Sequence, residues 1–142
     1  MKWKIIVIGK PALAFARVGA DEYLKRLRHY TQAELVIAKD ARRQQQAAAA
    51  ADRCIALDER GQNLSTQGLV SKIDRWELDG EIKEVALLIG ASDGHSDEAR
   101  SVADELWAFG KITLQHELAL VVLLEQIYRA YTIKRGEPYH RD

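Results

Sequence analysis

Residues 85–98 read VALLIGASDGHSDE. Five consecutive apolar side chains, β-branched at both ends, are too few for a core helix and too continuous for a strand with one wet face. They fit a strand covered on both sides. Gly90 and Gly94 then supply positive φ for a turn, and Ser96 stands where it can cap a helix whose first turn carries Asp97 and Glu98. A strand running through a glycine loop into a helix is the building unit of an α/β fold.

The same unit recurs along the chain. Apolar runs KIIVI (4–8), ELVIA (34–38), CIAL (54–57), VALLI (85–89) and ITL (112–114) predict strands. Helical periodicity fills the gaps at 12–29, 42–52, 66–77, 97–107 and 117–134. Alternation of this kind predicts a parallel sheet flanked by helices on both faces, with ligands at the carboxyl ends of the strands. The loops to watch are therefore 58–61, 90–96 and 108–111. The glycine loop lacks both GxGxxG and GxxxxGK[ST]. Asp93, Asp97 and Glu98 already answer the positive helix end, so a phosphate would be repelled there. A phosphate-free ligand is expected, which disfavours a flavodoxin-like nucleotide binder.

With 142 residues, 47% of them hydrophobic, the chain suits one domain over 1–142. Its 21 Lys and Arg balance 21 Asp and Glu. Affinity for a nucleic acid must then come from a local patch and from shape, which weighs against a general coating protein. The single cysteine, Cys54, excludes an internal disulfide and fits a reducing compartment. The run IIVIG ends at Lys10, and LALVVLL (118–124) is far shorter than the ~20 residues of a membrane span. A soluble, cytoplasmic protein with no membrane partner is expected.

Segment 117–134 is apolar on two stripes, one through Leu120, Leu123, Leu124, Ile127 and Tyr131, the other through Leu118, Val121 and Val122. A helix greasy on two sides in a chain this short predicts a homodimer built on it. Glu125 and Arg129 lie one turn apart and can pair. No two histidines have metal-ligand spacing, so no metal is expected. The chain closes on EPYHRD, placing Tyr139, His140 and Arg141 together on an end that would ordinarily fray.

The blocks GASDGHS (90–96), AFGKITLQH (108–116) and LLEQIYRAYTIKRGEPYHR (123–141) resemble, in order and spacing, the SPOUT-superfamily RlmH family. Its members methylate N3 of a pseudouridine in large-subunit (23S) ribosomal RNA. EYLKRL (22–27) and IALDERG (55–61) extend the likeness over essentially the whole chain. The resemblance implies a SPOUT-type α/β knot, a homodimer with a C-terminal trefoil knot, and S-adenosyl-L-methionine as cofactor. The matching cofactor positions are Leu57, Gly90, Phe109, Gly110, Lys111, Ile112, Thr113 and Leu114. It further implies that the tail of one subunit meets the knot of the other, with Tyr139, His140 and Arg141 as catalytic residues and His116, Glu125 and Arg129 shaping the site. Large-subunit ribosomal RNA, within the assembled ribosome, is the implied partner.

Where relatives read Pro-His and then Arg four residues on, this chain has Gln115-His116 and Leu120, and Ala91 replaces a second glycine. Lys25, Arg26, Arg28, His29, Lys134 and Arg135 are the cations that could compensate for the missing arginine. The alternative reading is a catalytically weakened ribosome-binding module of the same fold.

Overall fold

The computed structural model describes residues 1–139. Strands β1 (Lys2–Ile8), β2 (Gln32–Ala38), β3 (Arg53–Asn63), β4 (Glu84–Ile89) and β5 (Glu105–Ala108) form one parallel sheet in the order β2-β1-β4-β3-β5. Helices α1 (Ala14–Leu27), α2 (Ala41–Ala48), α3 (Thr66–Leu78), α4 (Asp97–Val102) and α5 (His116–Lys134) connect and flank it.

Alternate strand residues feed two unequal cores. Trp3, Ile5, Ile55, Val85, Leu87 and Trp107 meet α1, α3 and α5 on one face, and the rings of Trp76 and Trp107 stack there at 6.1 Å. The Trp3 indole donates to the Tyr131 hydroxyl at 3.0 Å, which donates to Glu77 at 3.0 Å, so the polar atoms of this core are satisfied. On the other face Ile6, Cys54, Ala56, Ala86 and Leu88 pack with Ala47 and Ala48 of α2 and with Ala51 just beyond it. Gln44 on α2 is fully buried, and its amide donates to the carbonyls of Ile6 and Ile89, both at 2.8 Å. It thereby bridges β1 and β4 where their pairing ends.

The predicted helix over 97–107 stops at Val102, and the predicted strand at 112–114 is a loop with Ile112 exposed. The fifth strand is Glu105–Ala108 instead. Asp104 decides this. Its carboxylate accepts from the Cys54 N–H at 2.8 Å, and its own N–H donates to the Cys54 carbonyl at 2.7 Å, docking the chain beside β3 and ending the helix.

Segment 58–61, expected as a loop after a strand, is an excursion within β3. Leu57 and Gln62 both stand opposite Trp107, so the strand leaves the ladder and rejoins it. Gly61 makes the return possible, because a Cβ there would lie 2.4 Å from the Leu106 carbonyl group.

Helix α5 runs parallel to α1, start beside start. The buried Glu117 accepts from the N–H groups of Ala12 (2.9 Å) and Leu13 (2.8 Å), and Gly19 faces Val121. Those main-chain donors hold the Glu117 carboxyl below the usual carboxylate range. Leu120 is a buried member of the larger core. Leu118, with Leu13, Phe15 and Val18 at the start of α1, remains exposed.

Candidate functional site

The carboxyl ends of β3, β4 and β5 open onto one cavity of about 590 Å³, within the range that holds a cofactor-sized ligand. Three segments build it, and each is shaped locally. After β4 the chain turns sharply, with the Gly94 N–H donating to the Ala91 carbonyl at 2.9 Å. Gly94 alone of the two loop glycines has positive φ (81°); Gly90 is required by space, since a Cβ would lie 2.9 Å from the Gly94 carbonyl carbon. Ser96 caps α4 as its position predicts, accepting from the Ala99 N–H at 3.1 Å.

The second segment, 109–115, crosses the strand ends and is tied to the β3 excursion by a hydrogen bond from the Thr113 hydroxyl to Glu59. Gln115 ends it by accepting from the Glu117 and Leu118 N–H groups, both at 2.9 Å, so the residue in the expected proline position caps α5. The third segment is the excursion itself. There burial would raise the Asp58 carboxyl, yet the Arg60 N–H and the Arg100 guanidinium, each 2.8 Å away, hold it below the usual range.

Of the positions singled out for a cofactor, Leu57, Gly90, Phe109, Ile112, Thr113 and Leu114 line this cavity, as does His116. Gly110 and Lys111 lie in the same crossing segment without lining it. Trp107, Ile89 and Ala119 complete an apolar side, while Asp58, Glu59, Arg60, Asp93, His95 and Arg100 make a polar one. The mixed charges of that side and the acids among them fit a phosphate-free ligand with an apolar ring and a charged end. His95 lies in the polar glycine loop between β4 and α4, yet it is not solvated. It is instead buried, with Nε2 3.1 Å from the Leu88 carbonyl. No local pattern signals this, because the ring folds back seven residues to find its acceptor.

Glu125 and Arg129 are not at the cavity. They pair at 2.7 Å, Glu125 nine and Arg129 thirteen residues beyond His116 on α5, hence ~13 and ~20 Å along the helix axis. Tyr139 is seated on that pair. Its hydroxyl donates to Glu125 at 2.8 Å and lies 3.3 Å from that of Tyr23, its ring meets Tyr128 edge-on at 4.7 Å, and the Arg129 guanidinium carbon stands 5.0 Å from its centroid. Burial, first, and then Tyr23 and Glu125 raise the Tyr139 hydroxyl well above the ordinary range, so it serves as a neutral donor. His140 and Arg141 lie outside the described residues. Among the described residues no group of His, Cys, Asp and Glu could hold a metal ion, and no helix is long and apolar enough to cross a membrane.

Residues 1–140 match the family model described as "Predicted SPOUT methyltransferase". A ribosomal RNA large subunit methyltransferase H from Thermus thermophilus is 42% identical over 141 residues, covering 99% of both chains. Among solved structures, a probable methylase family protein from Haemophilus influenzae superposes with a TM-score of 0.64 at 11% identity, over 99% of this chain and 70% of that one. The SpoU methyltransferase AviRb from Streptomyces viridochromogenes, solved in complex with the cofactor AdoMet, superposes at 0.52 with 12% identity, over 95% and 58%. The strand order, the cavity at the strand ends and these likenesses together identify the chain as a member of the SPOUT methyltransferase family, in its ribosomal RNA large subunit methyltransferase H group.

Proposed function

We propose that the protein transfers the methyl group of S-adenosyl-L-methionine to N3 of a pseudouridine in large-subunit ribosomal RNA, in the cytoplasm and as a homodimer. The observation that carries this reading is the cavity. Its walls gather Leu57, Gly90, Phe109, Ile112, Thr113 and Leu114 from three separate strand ends. Apolar Leu57, Ile89, Phe109 and Leu114 suit an adenine ring, and the polar side suits an amino-acid end. Bound there, the cofactor supplies an electrophilic methyl group.

The protein's own residues then align the acceptor and manage one proton. A bond forms between N3 and the methyl carbon, the carbon–sulfur bond breaks, and the N3 proton must leave. His140 accepts or positions that proton, Tyr139 packs near the target base, and Arg141 holds a phosphate. Within one subunit Tyr139 is moored on Glu125 and Arg129, well along α5 from His116. The site is therefore completed by a second copy, which also covers the exposed Leu13, Phe15, Val18 and Leu118. A trefoil knot formed by the segment after β5 belongs to the same proposal. Leu120 lies in the core, so its presence in the arginine position leaves the cavity lining intact and gives no support to a module without catalysis.

The test is transfer of tritiated methyl groups from S-adenosylmethionine to ribosomes of a strain lacking the enzyme, with digestion to nucleosides. N3-methylpseudouridine is the expected product. Labelling of another nucleoside, or none, refutes the assignment.

A further inference from the structure

The polar side of the cavity has a construction that methyl transfer alone does not account for. Asp58 from β3, His95 from the β4–α4 loop and Arg100 from α4 converge on it. His95 is only 7% exposed. Its Nε2 faces the Leu88 carbonyl at 3.1 Å, and a carbonyl can only accept, so Nε2 carries the hydrogen. The bond fastens the end of the glycine loop to β4, behind Gly90 and the Ala91–Gly94 turn. Both carboxylate oxygens of Asp58 are taken up elsewhere, one by the Arg60 N–H and one by the Arg100 guanidinium, each at 2.8 Å.

Burial first, and then the Arg100 cation, oppose a charge on the ring, whereas the Leu88 and Leu57 main chain and Asp58 favour it; the outcome is a histidine less basic than usual. The charged groups around the cavity are Asp58, Glu59 and Arg60 from β3, Asp93 from the loop itself and Arg100 with Asp97 from α4, and the other titratable side chain there is His116 from α5. S-adenosylmethionine is a net cation near neutral pH, through its sulfonium and ammonium groups against one carboxylate. A protonated imidazole in the wall would add like charge in a partly desolvated place.

We propose that His95 is a positioning residue of the donor cavity: in its neutral, Nε2-protonated form it pins the glycine loop to β4 and adds no further positive charge to a wall that faces a cationic ligand. The inference rests on reading the cavity as the S-adenosylmethionine site. Protons and the cofactor then compete. Affinity for the sulfonium is highest with His95 neutral and falls as pH drops through the ring's depressed pKa. S-adenosylhomocysteine, whose sulfur is uncharged, feels the added charge less.

The experiment is calorimetric binding of both compounds to the full-length protein between pH 5 and 7.5, for wild type, His95→Gln and His95→Leu. For wild type the S-adenosylmethionine Kd should rise about tenfold as the pH is lowered over that range, and the S-adenosylhomocysteine Kd about threefold or less. The glutamine variant keeps an amide donor for Leu88 but cannot titrate. It should bind at pH 7.5 within about threefold of wild type and lose the difference in pH dependence between the two ligands. The leucine variant, lacking the donor, should bind both about tenfold more weakly at every pH. Proton NMR of the His95 ring, identified by its absence from the glutamine variant, should show a pKa below 6.5 that falls further when S-adenosylmethionine binds. Binding of neither compound to wild type refutes the donor-site reading and this inference with it. Binding with the same pH dependence in wild type and His95→Gln, or a ring pKa that rises with ligand, overturns the role of His95 alone.

Discussion

Replacing Gln44 by Met keeps the side-chain volume and removes its polar atoms, which isolates what the buried amide does. In the native protein Nε2 serves two main-chain carbonyls, Ile6 and Ile89, whereas Oε1 is buried without a partner among the described residues. The substitution removes both hydrogen bonds, at about 0.5–1.5 kcal/mol each, and leaves the Ile89 carbonyl, past the last β1–β4 pair, without its side-chain donor. The net destabilisation is about 1–3 kcal/mol, or a Tm lower by about 3–9 °C for a chain of this length. Urea unfolding should show a lower midpoint with an unchanged m-value. A methionine variant as stable as wild type would mean that those carbonyls find other donors, and the account of how β1 and β4 are bridged where their pairing ends would fail. Gln44→Glu sets an acceptor-only group against the same carbonyls at neutral pH and should be worse than Met by the same assay.

His140→Ala should lower methyl transfer by ~100-fold while leaving S-adenosylmethionine affinity within a factor of about two; equal turnover removes it from proton transfer. Tyr139→Phe deletes the hydroxyl bond to Glu125 and should change stability by less than about 1.5 kcal/mol, whereas Tyr139→Ala also loses the ring packing and should reduce methyl transfer further. Leu118→Glu places a charge in the exposed apolar face and should yield monomers in sedimentation, with turnover lost and the fold kept; an unchanged dimer shows that another face is used. The Glu117 carboxyl is held below its ordinary value, so it contributes stability above the unfolded pKa of about 4.3, and that contribution disappears as pH falls through the folded value. Glu117→Gln should therefore flatten the acid limb of the stability curve below roughly pH 4.5, measurable by urea midpoints across pH.

Much of this arrangement is legible before folding, because covered strands must be continuously apolar and helices periodic. KIIVI, ELVIA, CIAL and VALLI all fall within strands of the sheet. The fifth strand escapes because Glu105–Ala108 is four residues long and follows a helix-favouring stretch, while the β-branched ITL reads as strand yet crosses the cavity as loop. What overrides local preference is Asp104, whose partner Cys54 lies fifty residues away. The strand-end loops announce the cavity through their glycines and acids. The burial of His95 and the seat of Tyr139 on Glu125 are fixed by contacts between elements, and a one-dimensional pattern carries no trace of them.

The parallel seating of α1 and α5 has a consequence during synthesis. Glu117 answers two helix starts at once, lying in the first turn of α5 and accepting the N–H groups just ahead of α1. Helix α1 leaves the translating ribosome long before its cover exists, by on the order of ten seconds at ordinary elongation rates. Through that interval Ala16, Ala20, Leu24 and Leu27 lack the helix that packs beside them, so the nascent chain offers a sticky amphipathic segment to chaperones until its last quarter emerges.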